Sequence, residues 1–362
     1  MKKDDFERFV LFIENLASVE VNFQKEDGSF AVSNNGPHGD EETPVRNTSH
    51  WLYMLSWLVS QGYSKYYLYA NRSADYLLSD DARPMKNAFW CRKNPFKDSS
   101  NGLIGQAWVI ESLLYASKKL ARPDLQEVAK EVHMLHFWDD SSKAWRNLNV
   151  DGSYGVLNGT FNQQLWFAAV GSMIENYDLG KKRAIEYLDN IEKNIFLYRD
   201  GVIFHNSNSF LIKTNNFKSV VKKIYAYKKT IKKMKGERER SVGYHAFNLV
   251  ALKYLKNSFP SHCFWKSKKY RKIKEVFLKK TFYEDLKINK FGYAYNPVYY
   301  EYLYYLDKAQ EPLDLYLKEQ NKILKVFDDV VFVSDSLDHE ISKSRVYELC
   351  RALDQIKEFI HE

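Results

Sequence analysis

The chain has only three cysteines, Cys91, Cys263 and Cys350, an odd number with no C-x-x-C spacing. That excludes a disulfide framework and a thiolate zinc site. Glycine (15) and proline (8) are sparse for 362 residues, which argues against a turn-rich all-β or disordered chain. No apolar run reaches the roughly 18 residues that cross a bilayer. The opening MKKDDFERFVLFIENLASVEV places Asp4, Asp5, Glu7, Arg8 and Glu14 where a signal peptide would be apolar. The expectation is a soluble, cytoplasmic protein. Also missing are a glycine-rich phosphate loop, since GLIGQAW has only Gly102 and Gly105 and no strand before it, and a nucleophile elbow. No metal site and no cofactor is called for.

Aromatic residues are abundant, with 26 Tyr, 23 Phe and 8 Trp. The net charge of +8 is concentrated in residues 213 to 240, which hold eleven Lys/Arg against two Glu, +9 by themselves, so the remainder is near −1. Val220, Ile224, Tyr227 and Ile231 in that stretch follow helical spacing. It reads as a basic helical insertion that could touch an acidic surface weakly; no nucleic-acid motif accompanies it.

One construction recurs: a polar cluster running into an aromatic residue and then an apolar helix. It appears as TPVRNTSHWLYMLSWL, SSNGLIGQAWVIESLLYA and NGTFNQQLWFAAVGSMI, with Trp51, Trp108 and Trp166 spaced 57 and 58 residues apart. A fixed period of this kind marks a repeated helical unit. SVGYHAFNLVALKYL and GYAYNPVYYEYLYYL continue the series after the basic stretch. Between them lie amphipathic segments such as DLQEVAKEVHMLHF and KKRAIEYLDNIEKNIF, whose apolar residues fall at i, i+3, i+4. With a first helix at about 4–19 and a last at about 340–360, this gives twelve to thirteen helices as buried inner and half-wet outer pairs, a single all-α domain over 1–362. A turn signal, Asp-Gly before an apolar residue, occurs at QKEDGSF, NVDGSYG and YRDGVIFH, compatible with type I′ or related geometry.

On this period and these DGSF-like loops the chain resembles the α/α toroids, the group of six-hairpin glycosidases and polysaccharide lyases that shares its architecture with terpenoid cyclases and prenyltransferases. The resemblance implies a double ring whose inner-helix N-termini converge on one cup. It gathers Arg46, Asn47, Trp51, Trp90, Arg92, Asn101, Gln106, Trp108, Asn162, Gln163, Trp166, His205, His245, Asn248, Tyr295, Asn296 and Glu301 as candidate substrate contacts. Amides read hydroxyls and flat rings stack on sugar C–H faces, so a carbohydrate is the expected ligand, and Arg46 and Arg92 favour an anionic one such as a uronate.

Glycoside hydrolysis needs two carboxyls; Asp40 and Glu42 from HGDEET and Glu111 from AWVIESLLYA are the candidates. Hydrolysis of an anionic oligo- or polysaccharide is the first expectation. Uronate elimination is the alternative, with Arg46 and Asn162 neutralising the carboxylate and His50, His205, His245 or Tyr295 moving the proton. A terpenoid cyclase or prenyltransferase would need acidic clusters on inner helices, whereas WDD (138–140) and FDD (327–329) lie outside the repeats. A non-catalytic glycan-binding role in polysaccharide assembly would use the same amides and tryptophans.

Overall fold

The computed structural model describes residues 3–207, 232–306, 313–324 and 338–360. The α-helices among them include α1 (Lys3–Glu20), α2 (Val45–Ser60), α3 (Tyr67–Leu78), α4 (Gly102–Lys119), α5 (Pro123–Leu135), α6 (Phe161–Met173), α7 (Asp178–Asp189), α8 (Ile191–Asn194), α9 (Arg238–Gly243), α10 (His245–Ser258), α11 (Lys268–Lys274), α12 (Lys280–Lys287), α13 (Val298–Tyr305), α14 (Leu313–Leu324), α15 (His339–Ser344) and α16 (Tyr347–Ile360). The excess over twelve or thirteen comes from short pieces. KSKKYRKIKEVFLKK breaks into α11 and a 3₁₀ turn, and the last helix is interrupted at Arg345 and Val346.

Six helices make the inner ring. α2 packs on α4, α4 on α6, α6 on α10, α10 on α13, α13 on α16, and α16 returns to α2. Their sequences require this: every residue of α2 from Val45 to Leu58 is buried, as is α4 from Gly102 to Leu114, so neither has a face to give to water. The outer helices bury one stripe each. α1 buries Phe9, Ile13, Leu16 and Ala17, α5 buries Leu125, Ala129, Val132 and His133, and α7 buries Gly180, Ala184, Tyr187 and Leu188, which is the i, i+4, i+7, i+8 pattern of a surface helix. Small residues set the spacing. A Cβ on Gly171 would lie 2.2 Å from His133 Nε2, and one on Gly180 2.6 Å from the Gly171 carbonyl oxygen, so α5, α6 and α7 meet where only glycine fits.

A three-stranded antiparallel sheet, β1 (Trp138–Asp139), β2 (Ala144–Leu148) and β3 (Tyr154–Leu157), precedes α6 and carries a register shift between Arg146 and Leu148. The three Asp-Gly turns share one geometry. Gly28, Gly152 and Gly201 have φ of 89°, 86° and 97°; their N–H groups donate to Lys25 O, Asn149 O and Tyr198 O, and Asp27, Asp151 and Asp200 each accept from the N–H two residues on. Only the glycine takes positive φ, so the turn is not type I′, which needs two such residues. Of the basic insertion, residues 213 to 231 lie outside the described residues. Downstream, Arg238 pairs with Asp200 and Asp285 and Arg240 with Glu237. Among the described residues no helix is long and apolar enough to cross a membrane.

Candidate functional site

Contacts between neighbouring inner helices keep the same order along both helices, His50 and Tyr53 meeting Trp108 and Tyr115, His50 and Trp57 meeting Tyr347 and Asp354, Trp166 and Ser172 meeting Phe247 and Ser258, so these helices run parallel and their N-terminal ends face one side of the ring. Much of the recurring polar cluster there is engaged with backbone. Gln106 accepts from Phe89 N–H at 2.7 Å and donates to Phe89 O and Ser100 O at 3.1 and 2.8 Å. One repeat later Gln164 does the same for Trp145 N–H, Trp145 O and Asn158 O. His245 accepts from Ile203 N–H and hydrogen-bonds Ile273 O, and Asn296 donates to Gly243 O and Phe291 O. Asn47 donates to Ala31 O and accepts from Ser344. Gln163 accepts from Leu103 N–H and Asn158, joining α6 to the start of α4, where Asn101 stands in the left-handed region at φ 56°. These side chains satisfy buried backbone groups of the incoming loops, whose desolvation would otherwise be costly.

The tryptophans divide in the same way. Trp51 stacks on Phe30 at 4.9 Å, and Trp166 stacks on Phe247 at 4.7 Å while donating to its carbonyl. Trp108 has Arg46 over its ring at 4.1 Å and His50 edge-on at 5.7 Å. Trp90 lies off the axis, lining a cleft of about 620 Å³ with Arg92, Asn94 and Asp151.

Near the ring axis the pattern changes. The buried guanidinium of Arg46 uses Nη1 for Asn35 (2.8 Å) and Glu42 (3.2 Å), leaving Nε and Nη2 without a hydrogen-bond partner. Tyr295 lies 5.4 Å beneath it and donates to Asn35. Tyr295 neighbours Tyr244, whose hydroxyl is hydrogen-bonded to His38 Nε2 at 2.9 Å and whose ring lies 5.2 Å from His205. His205 Nδ1, His50 Nε2, Trp108 Nε1, Asn162 Oδ1 and Asn248 Oδ1 are likewise buried without partners. His50 also stacks on Tyr347 at 4.3 Å.

Burial and surrounding cations keep these imidazoles neutral. Desolvation, then Arg240 and Arg46, pull His38 down to about 4; desolvation and Arg240 take His205 to about 3; burial, Arg46 and Arg345 hold His50 well below the ordinary histidine range. Burial pushes the Tyr244 phenol far up, so it stays a proton donor.

The candidate carboxyls are all engaged. Glu42 is raised by burial and accepts from Ser33 and Arg46. Asp40 is desolvated, yet Lys97, Asn94 and Arg92 outweigh that and hold it below the usual range. Glu111 is raised by burial and accepts on both carboxylate oxygens from Nε and Nη2 of Arg351, with Tyr254 donating at 2.7 Å. Glu301 pairs with Arg345 at 3.2 Å, and burial together with nearby Glu348 pushes its carboxyl well above the usual range. The structure thus places Arg46, His50, Trp108, Tyr295 and His205 in one contiguous cluster, with Glu42 and Asn35 behind Arg46. Glu111 and Glu301 belong to a deeper charge network with Arg345, Glu348 and Arg351.

Sequence reasoning missed His38, Asn35, Tyr244 and Arg345. Tyr244 precedes His245 in SVGYH and His38 stands two positions before Asp40 in HGDEET, so both lie inside polar stretches that hold candidate residues. Among the described residues, no group of three or more His, Cys, Asp or Glu side chains is placed to hold a metal ion.

No protein-family model matches the sequence. The chain is 35% identical over 299 residues to archaeal glycosylation protein Q of Haloferax volcanii, covering 79% of this chain and 80% of that protein. In structure it is similar to a cellobiose 2-epimerase from Bacillus thermoamylovorans (TM-score 0.63, 11% identity, 94% of this chain and 98% of that one). It is also similar to a D-mannose isomerase (TM-score 0.64, 13% identity, 99% and 98%) and to a GH76 α-mannanase from Bacteroides thetaiotaomicron (TM-score 0.58, 11% identity, 98% and 97%). At these identities the structural likeness establishes the fold, the expected α/α toroid of the six-hairpin glycosidase type. By sequence, the chain belongs to the family of archaeal glycosylation protein Q.

Proposed function

We propose that this protein processes a uronate-containing glycan by withdrawing the proton beside the sugar carboxylate at the ring axis. The observation that carries this is Arg46. A guanidinium remains charged at any accessible pH, and its unpartnered Nε and Nη2 form the edge that grips a carboxylate through two parallel hydrogen bonds. Trp108, with the guanidinium over its ring at 4.1 Å, holds Arg46 in place. Membership in the family of a glycosylation protein supports a glycan as substrate.

The surrounding groups favour proton abstraction over hydrolysis. Hydrolysis needs two available carboxyls, whereas Glu42, Asp40 and Glu111 are each held by a cation. His205 and His50 offer neutral imidazoles with an unpartnered nitrogen, and an arriving carboxylate raises their basicity. In the elimination one of them takes the carbon-bound proton, and Arg46 stabilises the charge that accumulates on the carboxylate. The carbon–oxygen bond to the departing sugar breaks as a double bond forms, and the Tyr244 hydroxyl protonates the leaving oxygen.

The test is incubation with uronate oligosaccharides in deuterated water. Unsaturated uronate ends, detected by ultraviolet absorbance and mass spectrometry, are the expected product. Deuterium at the carbon beside the carboxylate without cleavage would keep the proton abstraction and replace elimination by epimerisation. New reducing ends with neither unsaturation nor deuterium would overturn the reading in favour of hydrolysis.

A further inference from the structure

The C-terminal side of the inner ring carries a cavity of about 570 Å³ to which every inner helix contributes: Tyr53, Glu111, Met173, Tyr254, Tyr304 and Arg351. It is separated from the axis site by a layer of side chains. His50 stacks on Tyr347 from one side; from the other, Arg351 Nη2 donates to the Tyr347 hydroxyl at 3.0 Å, and that hydroxyl lies 3.4 Å from Glu111 Oε2.

Three observations specify what would occupy it. The volume falls in the range of about 300–1,000 Å³ typical of small-molecule pockets. Gln355 Oε1, on the lining, is buried without a donor. The charged groups on the cavity lining are paired within the protein, Lys118 with Glu175, Arg351 with Glu111, and Asp354 with Trp57, Tyr115 and Lys119, which leaves an ionic ligand no open counter-charge. The cavity's cation sites are already filled from within: Arg351 lies over the Tyr254, Tyr304 and Tyr347 rings at 5.9, 5.8 and 4.9 Å, and Lys253 donates to Tyr304 O at 2.9 Å. An uncharged ligand with hydroxyl groups and flat C–H faces remains.

We infer that this cavity is a second carbohydrate site, taking a neutral mono- or disaccharide, on the opposite side of the ring from the axis site. It does not depend on the chemistry proposed above. The exposed rim residue Asn257 and the half-buried Met173 mark its edge, so a bulky side chain at either position plugs the cavity while leaving the buried layer untouched.

The experiment uses calorimetry and saturation-transfer NMR on the full chain with mannose, glucose and cellobiose, and with glucuronate and glucosamine as anionic and cationic comparators. Neutral sugars are expected to bind the unaltered protein and Arg46→Lys alike, and to lose at least tenfold in affinity in Met173→Trp and in Asn257→Trp. The second variant keeps the test decisive if the first does not fold. Absence of neutral-sugar binding, binding that survives both plugs, or plug-sensitive binding in which glucuronate or glucosamine outcompetes glucose would each overturn the inference.

Discussion

Gln106 and Arg46 both stand in the first turns of neighbouring inner helices, and both are buried. The Gln106 amide makes three hydrogen bonds to backbone, and Gln164 repeats them one hairpin later. Arg46 has no counterpart in the next repeats and leaves Nε and Nη2 unused. A buried donor without a partner is costly in a folded protein; architecture accounts for the first residue, and the carboxylate proposed above would account for the second. In this chain, repetition marks what holds the ring together, and the proposed site is built from residues that depart from it.

The strongest way to break this comparison is at the deepest charge pair. Arg351→Met strands Glu111 in a buried, desolvated position and should cost about 3–5 kcal/mol, read as a lowered urea midpoint. A loss below about 1 kcal/mol would mean that Glu111 is readily protonated and that the pair is not structural. Gln106→Ala, which frees two carbonyls and an N–H, should destabilise by about 2–3 kcal/mol while the surviving folded protein binds glycan unchanged. Tyr244→Phe inverts that outcome: it removes the proposed proton donor and should slow turnover about 10²-fold, with the melting temperature shifted by no more than a few degrees. If it melts like Gln106→Ala and turns over like the unaltered protein, the division between clamp and site fails.

The smallest effect is a pH slope. Burial lowers His245 to about 4 from an ordinary 6.5, so the unfolded chain binds its proton first on acidification. Stability from this residue is present above 6.5 and is lost between 6.5 and 4, at about 1.4 kcal/mol per pH unit. His245→Gln should flatten the stability profile in that window by one proton; an unchanged slope would show that the imidazole is charged in the fold.

The ring itself was legible because burial imposes a period. The Trp51, Trp108 and Trp166 register repeats one inner-helix start three times, and the Asp27, Asp151 and Asp200 turns repeat one loop geometry three times. Within that register, position alone could not separate Trp51, which packs on Phe30, from Trp108, which faces Arg46. Arg46, His50 and His205 could be found because each is a charged or titratable group inside a polar cluster. Tyr244 and His38 could not, since their hydrogen bond joins residues 206 positions apart. Arg345 escaped for the same reason: its partners Asn296 and Glu301 sit in another hairpin, 49 and 44 positions away. The extra short helices were hidden by breaks that leave the apolar spacing intact, as at Arg345 and Val346.

The most direct measurement is a calorimetric titration of one uronate oligosaccharide into three proteins: unaltered, Arg46→Lys and Gln164→Ala. Lysine keeps the charge but loses the two-pronged grip, so affinity should fall at least about tenfold in Arg46→Lys and remain at the unaltered value in Gln164→Ala, despite its lower stability. Equal affinity in Arg46→Lys, or a loss confined to Gln164→Ala, would contradict the account.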